Sequence, residues 1–422
     1  MKKISPLIIL VIISALFIFY RFVDIPRYLA YDEVEFAKLA LSLQNKPYIP
    51  YSSLATGHST LYFYILLTSL KTFGVNVFAL RFPAAIFGIL SVLLFYLIMK
   101  KTFKQSNNET MKQLFPFFLT TVFLTSRWFL NFARFSFEAT FLLFLELVSI
   151  YFLILANAKV TNFLRLGTPR LYFILSGLFA GLAFNSYTPG RIFFLLPLGF
   201  LLFKKQFNNL PAGRQGEIMK QLLLFLIPFV IVITPLTSYL LNNKDTRIDQ
   251  QFFLRNHEMT VNEKVNGLWS NVSSTTLMLF TKGDMNGRHN YPGKPALNPI
   301  LGILFIIGLL TSIKNYKDLY NKLFLFYFLI SLFPALMTYP WENPNMLRTY
   351  TVIPAIVYFI GLSISEIFKI TKQKYLWLII IIIVFSSFYE LRTYFKYQST
   401  VFNQSFEIKL PLEKAIKVKT LL

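Results

Sequence analysis

Long apolar runs, separated by short and mostly basic connectors, make up most of this chain. An α-helix rises 1.5 Å per residue, so about 20 apolar residues cross ~30 Å of hydrocarbon. By that measure the pattern predicts about eleven membrane spans, over residues 5–22, 78–100, 114–131, 137–157, 171–187, 190–204, 220–241, 298–313, 321–338, 349–368 and 375–391. Leu61–Phe73 is apolar but short, and is expected to be re-entrant or interfacial. The longest polar stretch is 242–298. The expected fold class is an all-α polytopic membrane protein.

Composition supports this. The chain is 55% hydrophobic and only 14% charged, unlike an ordinary soluble protein of 422 residues. A net charge of +23 invites a nucleic-acid reading, but the cations sit between the apolar runs, as membrane orientation requires. No nucleic-acid partner is expected. Alternate connectors are basic: Lys100, Lys101, Lys104 and Lys112; Lys159, Arg165 and Arg170; Lys204, Lys205, Arg214 and Lys220; Lys314, Lys317 and Lys322; Lys369, Lys372 and Lys374. That places the N-terminus and these connectors in the cytoplasm. Met1-Lys2-Lys3 and the run Ile4–Tyr20 have the form of a signal peptide, but no small-x-small site follows, so an uncleaved first span is expected. With no cysteine, thiol nucleophiles, disulfides and iron–sulfur clusters are excluded. Residues 1–391 then form one transmembrane domain, and 392–422 a basic tail on the external side.

The chemistry collects on that external side. Tyr31-Asp32-Glu33-Val34-Glu35-Phe36-Ala37 follows the first span, within an external loop over 23–77. Phe36, Leu39, Ala40 and Leu43 recur at i, i+3, i+4 and i+7, one helical face that would rest on the bilayer. Asp32 and Glu33 read as a catalytic carboxylate pair, or else Asp32-x-x-Glu35 is a capping box with Asp32 at the N-cap. Arg134 and Glu138 have i, i+4 spacing, which gives either a helix-entrance ion pair or a second acid facing Asp32 across a cavity. Arg81 is an interfacial anchor or a phosphate clamp. Arg288 and His289, in the Gly/Pro-rich stretch 282–295, have the chemistry to meet an anion. Asn345 has the character of a cap for the tenth span, and Arg348 beside that helix start makes a phosphate site. Glu146 reads as a buried polar contact, and Gly177-x-x-x-Gly181 as a close helix contact. His58, His257 and His289 are external but lack metal-ligand spacing.

In this order the motifs resemble the integral-membrane GT-C glycosyltransferases, especially the bacterial protein O-mannosyltransferase and aminoarabinose-transferase relatives. The resemblance rests on Asp32-Glu33 in the first external loop, Phe73-Gly74-Val75-Asn76-Val77-Phe78-Ala79-Leu80-Arg81-Phe82-Pro83 entering the second span, Ala133-Arg134 with an acid four residues on, and the Arg348 segment before a late span. It covers roughly residues 1–370. It implies a GT-C bundle of about eleven helices with external juxtamembrane helices, in the plasma membrane. The implied reaction is inverting transfer, on the external face, from a polyprenyl-phosphate-linked sugar to an acceptor hydroxyl on a cell-envelope glycan, lipid or protein. Asp32 matches the catalytic carboxylate, with Glu33 and Glu138 as further catalytic acids. Arg348, Arg81 and Arg288 are the expected contacts to donor phosphate. His58 and His289 stay as acceptor or metal candidates, and a divalent ion is an open possibility. The chain departs from the family where Glu138 replaces the more usual aspartate and Gly57-His58-Ser59-Thr60 replaces His-Pro-Pro.

A carboxylate suits an oxocarbenium-like transition state, and inversion needs a base. The rival readings are a lipid-linked oligosaccharide polymerase or ligase, and a secondary transporter. The transporter predicts broken midplane helices and two related halves, neither of which the sequence displays.

Overall fold

The eleven apolar runs are largely helical in the computed structural model, which describes residues 5–103, 109–157, 169–203, 212–371 and 376–418. The helices are α1 (Pro6–Phe19), α2 (Tyr31–Ser42), α3 (Leu61–Phe73), α4 (Val77–Thr102), α5 (Glu109–Thr125), α6 (Arg127–Ala133), α7 (Glu138–Asn157), α8 (Pro169–Phe184) and α9 (Leu195–Phe203). There follow α10 (Ala212–Asn242), α11 (Thr246–Gln251), α12 (Val261–Phe280), α13 (Pro299–Lys314), α14 (Leu319–Leu336), α15 (Ile353–Ile370), α16 (Leu376–Arg392), α17 (Ser399–Ser405) and α18 (Leu412–Ala415). Strands β1 (Tyr51–Ser52) and β2 (His58–Ser59) form one small antiparallel hairpin. Among the described residues, six helical segments are long and apolar enough to cross a membrane. The other apolar helices, α1 and α3 among them, are shorter.

Three details differ from the sequence reading. The third run breaks at Ser126 into α5 and α6. The 242–298 stretch is about half helical, chiefly through α11 and α12. The apolar face of α2 does not rest on a bilayer: Phe36, Leu39, Ala40 and Leu43 are all buried in the protein core. Several connector cations, Lys104, Lys159, Arg165, Lys204, Lys205, Lys372 and Lys374, lie outside the described residues.

Interhelical polar contacts and close approaches hold the bundle where lipid supplies no hydrophobic drive. Ser149 of α7 pairs with Ser176 of α8, and the Tyr327 hydroxyl of α14 donates to Glu146 of α7 at 2.7 Å. Gly177 faces the Phe225 backbone of α10, so even a methyl group there would collide with the Phe225 carbonyl. Pro83 cannot donate to the Ala79 carbonyl one turn earlier in α4. The Ser69 hydroxyl of α3 takes that acceptor at 2.6 Å.

The segments around Asp32, His58, Tyr187, Arg247, Asp284 and Arg348 come together at one end of the bundle. The C-terminal segment returns to the same end: Leu29 and Ile408 exchange backbone hydrogen bonds of 3.1 and 3.0 Å. Phe406 is fully buried there, edge-on to Phe135 and under the Arg81 guanidinium.

Candidate active site

At that end lies a cavity of about 550 Å³, a size typical of ligand sites. Asp32, Glu35, His58, Tyr187, Arg247, Asp284, Arg288, His289, Glu342, Asn345 and Arg348 line it. Its walls come from α2, the β1–β2 hairpin, α11, the 281–298 loop and the 339–349 turn.

Asp32 is the second residue of α2, where the helix dipole favours an anion. Its carboxylate pairs with Arg288 at 2.6 Å and remains 40% exposed to the cavity. Neighbouring helix residues point about 100° apart, so Glu33 faces the protein interior instead. Glu33 is fully buried and accepts two bonds of 2.8 Å from Arg81, plus the N–H groups of Ala30 and Ser136. Arg81, equally buried, also donates to the carbonyls of Pro26 and Tyr28. Neither residue lines the cavity. The sequence-based roles of Glu33 in catalysis and Arg81 in phosphate binding therefore do not match their places; the pair is a lock that fixes the start of α2 against α4. The cap is also different from the expected one. Ala30 is the N-cap of α2 and Glu33, not Asp32 or Glu35, reaches back to its N–H.

Arg134 does not meet Glu138. Residues 134–137 are not helical, so i, i+4 spacing has no meaning there. The Arg134 guanidinium instead donates to the carbonyls of Phe17, Ile18, Tyr20, Arg21 and Ile25. These include the carbonyls that the end of α1 leaves without intrahelical donors.

Glu138 meets His58 at 2.6 Å, and the other ring nitrogen of His58 lies 2.8 Å from the Ala55 carbonyl. The hairpin brings them together through Gly57, whose φ of +96° suits glycine and whose missing side chain admits Tyr51 and Thr246. Arg247 lies against the His58 ring, 3.9 Å from Glu138 and over the Tyr187 ring at 5.3 Å. Burial holds His58 below its ordinary pKa; Glu138 opposes that and Arg247 adds to it. Burial likewise raises the Tyr187 hydroxyl, against the pull of Arg247. Asp245 positions Arg247: it caps α11 through the Ile248 N–H, accepts from Tyr51, and pairs with Arg191. Burial alone would raise the Asp245 carboxyl, but Arg191 and these hydrogen bonds leave it lowered.

His289 Nδ1 lies 2.9 Å from Asp284, whose carboxylate also takes the Met346 N–H at 2.8 Å. Arg348 pairs with Glu342, while its Nη1 has no hydrogen-bond partner among the described residues. Asn345 accepts the N–H groups of Leu347 and Arg348, so it caps a turn ahead of α15 and not the helix itself.

The structure thus brings Asp32, Arg288, His289, His58 and Arg348 to one cavity, with Glu138 behind His58. Among the described residues no group of three His, Asp or Glu side chains is arranged to hold a metal ion. Both nitrogens of His58 are engaged by protein groups, and Asp32 is engaged by Arg288. These residues do not fit a metal set. Arg247, Asp245, Asp284 and Glu342 were not singled out from sequence; Asp245 and Arg247, directly after a span and inside a polar stretch, carried only a positional signal.

Residues 57–236, less than half the chain, match the family model described as dolichyl-phosphate-mannose-protein mannosyltransferase. A comparison with curated proteins finds no match. Among solved structures, ArnT from Cupriavidus metallidurans bound to undecaprenyl phosphate is similar, with a TM-score of 0.56 at 12% identity over 85% of this chain and 60% of that one. AglB, the oligosaccharyltransferase of Archaeoglobus fulgidus, in complex with an inhibitory peptide and a dolichol-phosphate, gives 0.50 at 15% identity over 96% of this chain and 56% of its own. This chain therefore spans about 60% of the length of those relatives. It has the fold of the GT-C membrane glycosyltransferases, and its 57–236 segment is similar to the mannosyltransferases that act from dolichyl-phosphate-mannose.

Proposed function

We propose that this chain is a membrane glycosyltransferase that moves a sugar from a polyprenyl-phosphate-linked donor to an acceptor hydroxyl, with inversion, on the external face of the plasma membrane. The observation that carries the reading is Asp32: a half-exposed carboxylate at a helix start, in a cavity lined by three arginines, above apolar helices. Asp32 is the base that takes the acceptor proton. Arg288, Arg348 and Arg247 offset the phosphate charge with preorganised donors. Donor phosphate competing for Arg288 would free Asp32 for its task. Glu33 and Arg81 are positioning residues, since they reach the reaction only through the start of α2. The acceptor is a cell-envelope glycan, lipid or protein. The similarity to AglB favours a second reading, transfer of a lipid-linked oligosaccharide, with the same carboxylate and arginine roles.

Sugar release from radiolabelled polyprenyl-phosphate sugars by the purified protein tests the proposal. Wild type turns over at least one donor, and Asp32→Asn loses about 10²–10⁴-fold in rate while remaining folded. Equal turnover in a folded Asp32→Asn variant removes Asp32 as the base. No turnover with any single-sugar donor, but turnover with an oligosaccharide donor, selects the second reading.

A further inference from the structure

Trp341 lines the cavity and is 76% exposed. A lone apolar side chain on a surface needs no explanation, but this one is held in place. Its indole stacks on the Tyr339 ring, with 4.3 Å between centroids and 19° between planes. Tyr339 is fixed in turn: its hydroxyl accepts from Asn256 at 3.1 Å, and its N–H donates to the Gln251 carbonyl at 3.3 Å. The Pro340–Glu342 turn closes through the Glu342 N–H on the Tyr339 carbonyl at 3.0 Å, and Glu342 pairs with Arg348. One indole face is therefore covered, and the other stands open in a rigid setting.

Two amides of the same cavity are oriented by the backbone. Asn345 accepts the N–H groups of Leu347 and Arg348, and Asn286 accepts that of Arg288 at 3.0 Å. Backbone N–H groups only donate, so the side-chain atom they meet is the oxygen in each case. Each residue keeps an NH2 group with no hydrogen-bond partner among the described residues, and both residues line the cavity. Such a group offers two donors and no charge. An open aromatic face beside neutral amide donors fits a pyranose ring. The face of an aromatic ring is electron-rich and the C–H bonds on a sugar face are weakly positive, so the two stack. The amides then meet the hydroxyls around the ring. A phosphate is better served by the arginines, and a prenyl chain has no hydroxyl for the amides. Trp341 is also more exposed than Asp32, Arg288 and Arg348, which puts it on the solvent side of the charged groups.

We propose that Trp341, with Asn286 and Asn345, binds a sugar ring of the acceptor, so that the acceptor is a glycan or glycolipid and not a protein hydroxyl. The assignment to the acceptor rests on the function proposed above. Stacked there, the ring presents a hydroxyl to the cavity that holds Asp32, while the donor phosphate stays with the arginines.

Tryptophan fluorescence of the purified full chain tests this without turnover. Methyl pyranosides of mannose, glucose and galactose are titrated, with mannitol as an open-chain polyol that has no ring face. At least one pyranoside should change the wild-type emission, mannitol should not, and the response should be absent in Trp341→Ala. Asn286→Asp and Asn345→Asp keep an oxygen for the backbone N–H groups but lose the amide donors, and each should weaken binding about three- to tenfold. In transfer assays Trp341→Ala should raise KM for a pyranoside acceptor by about three- to tenfold, with the donor KM little changed. No response to any pyranoside, or a response that survives Trp341→Ala, overturns the platform. Quenching of Trp341 by brominated acyl chains in nanodiscs, with no pyranoside response, makes it a bilayer anchor instead. A rise in the donor KM alone assigns the ring to the donor sugar and overturns the acceptor reading, as does transfer to a serine or threonine peptide and to no glycoside. If the wild type binds pyranosides through Trp341 but transfers no sugar, the function proposed above fails while the platform stands.

Discussion

Replacing Arg81 by methionine would leave Glu33 as a charge with no counter-ion in a fully buried place. Both partners have no solvent exposure, and the guanidinium meets the carboxylate through two bonds of 2.8 Å. Glu33 would retain only the Ala30 and Ser136 N–H groups, at 3.2 and 3.3 Å. The Pro26 and Tyr28 carbonyls would lose their donors as well. Breaking a buried pair from one side costs about 3–5 kcal/mol, roughly 10²–10⁴-fold in the unfolding equilibrium. Surface pairs, at about 0–1 kcal/mol, set the scale for an unimportant contact. The assay is reversible unfolding of detergent-solubilised protein, in a cycle of Arg81→Met, Glu33→Met and the double variant. The double variant should be more stable than either single one, with a coupling of about 2 kcal/mol or more, because it buries no lone charge. A single Arg81→Met cost under about 1 kcal/mol, or additive effects in the cycle, would refute the lock.

Other outcomes are equally checkable. Arg288→Ala should shift the unfolding midpoint by no more than about 1 kcal/mol, since its partner Asp32 is 40% exposed, yet raise KM for the lipid donor by about tenfold; unchanged KM would remove Arg288 from the phosphate site. Burial and Arg247 keep the His58 ring neutral in the folded state, whereas the unfolded chain binds a proton below about pH 6.5. Stability should therefore be lost as pH falls through that point, and less so in His58→Gln; identical acid sensitivity in both would contradict this. Gly177→Val forces apart α8 and α10 at the Phe225 carbonyl and should cost about 1–3 kcal/mol, measured by the same unfolding assay.

The membrane made the helices readable, because it imposes a minimum length on apolar segments and drives cations into the connectors. That Asp32 faces a wet cavity was readable for a related reason, since it closely follows a span, although the same residues also read as a helix cap. Its neighbours were not. Glu33 and Asp32 look alike in sequence, and only the 100° step between successive helix residues, together with the position of α4, sends one inward to Arg81 and the other into the cavity. Arg134 and Glu138 were paired on an assumption of helix that fails over 134–137. Arg247 carried only the signal of its position after a span, since its place beside His58 depends on a hairpin nearly two hundred residues earlier reaching the same cavity.

The exchange of backbone hydrogen bonds between Leu29 and Ile408 also sets an order of assembly. During synthesis at roughly 5–20 residues per second, the acidic motif emerges early and then waits for its last wall. Until Phe406 arrives to cover the Arg81–Glu33 lock, that ion pair has an incomplete apolar roof. A partly made chain would thus hold the carboxylate but not the fixed geometry around it.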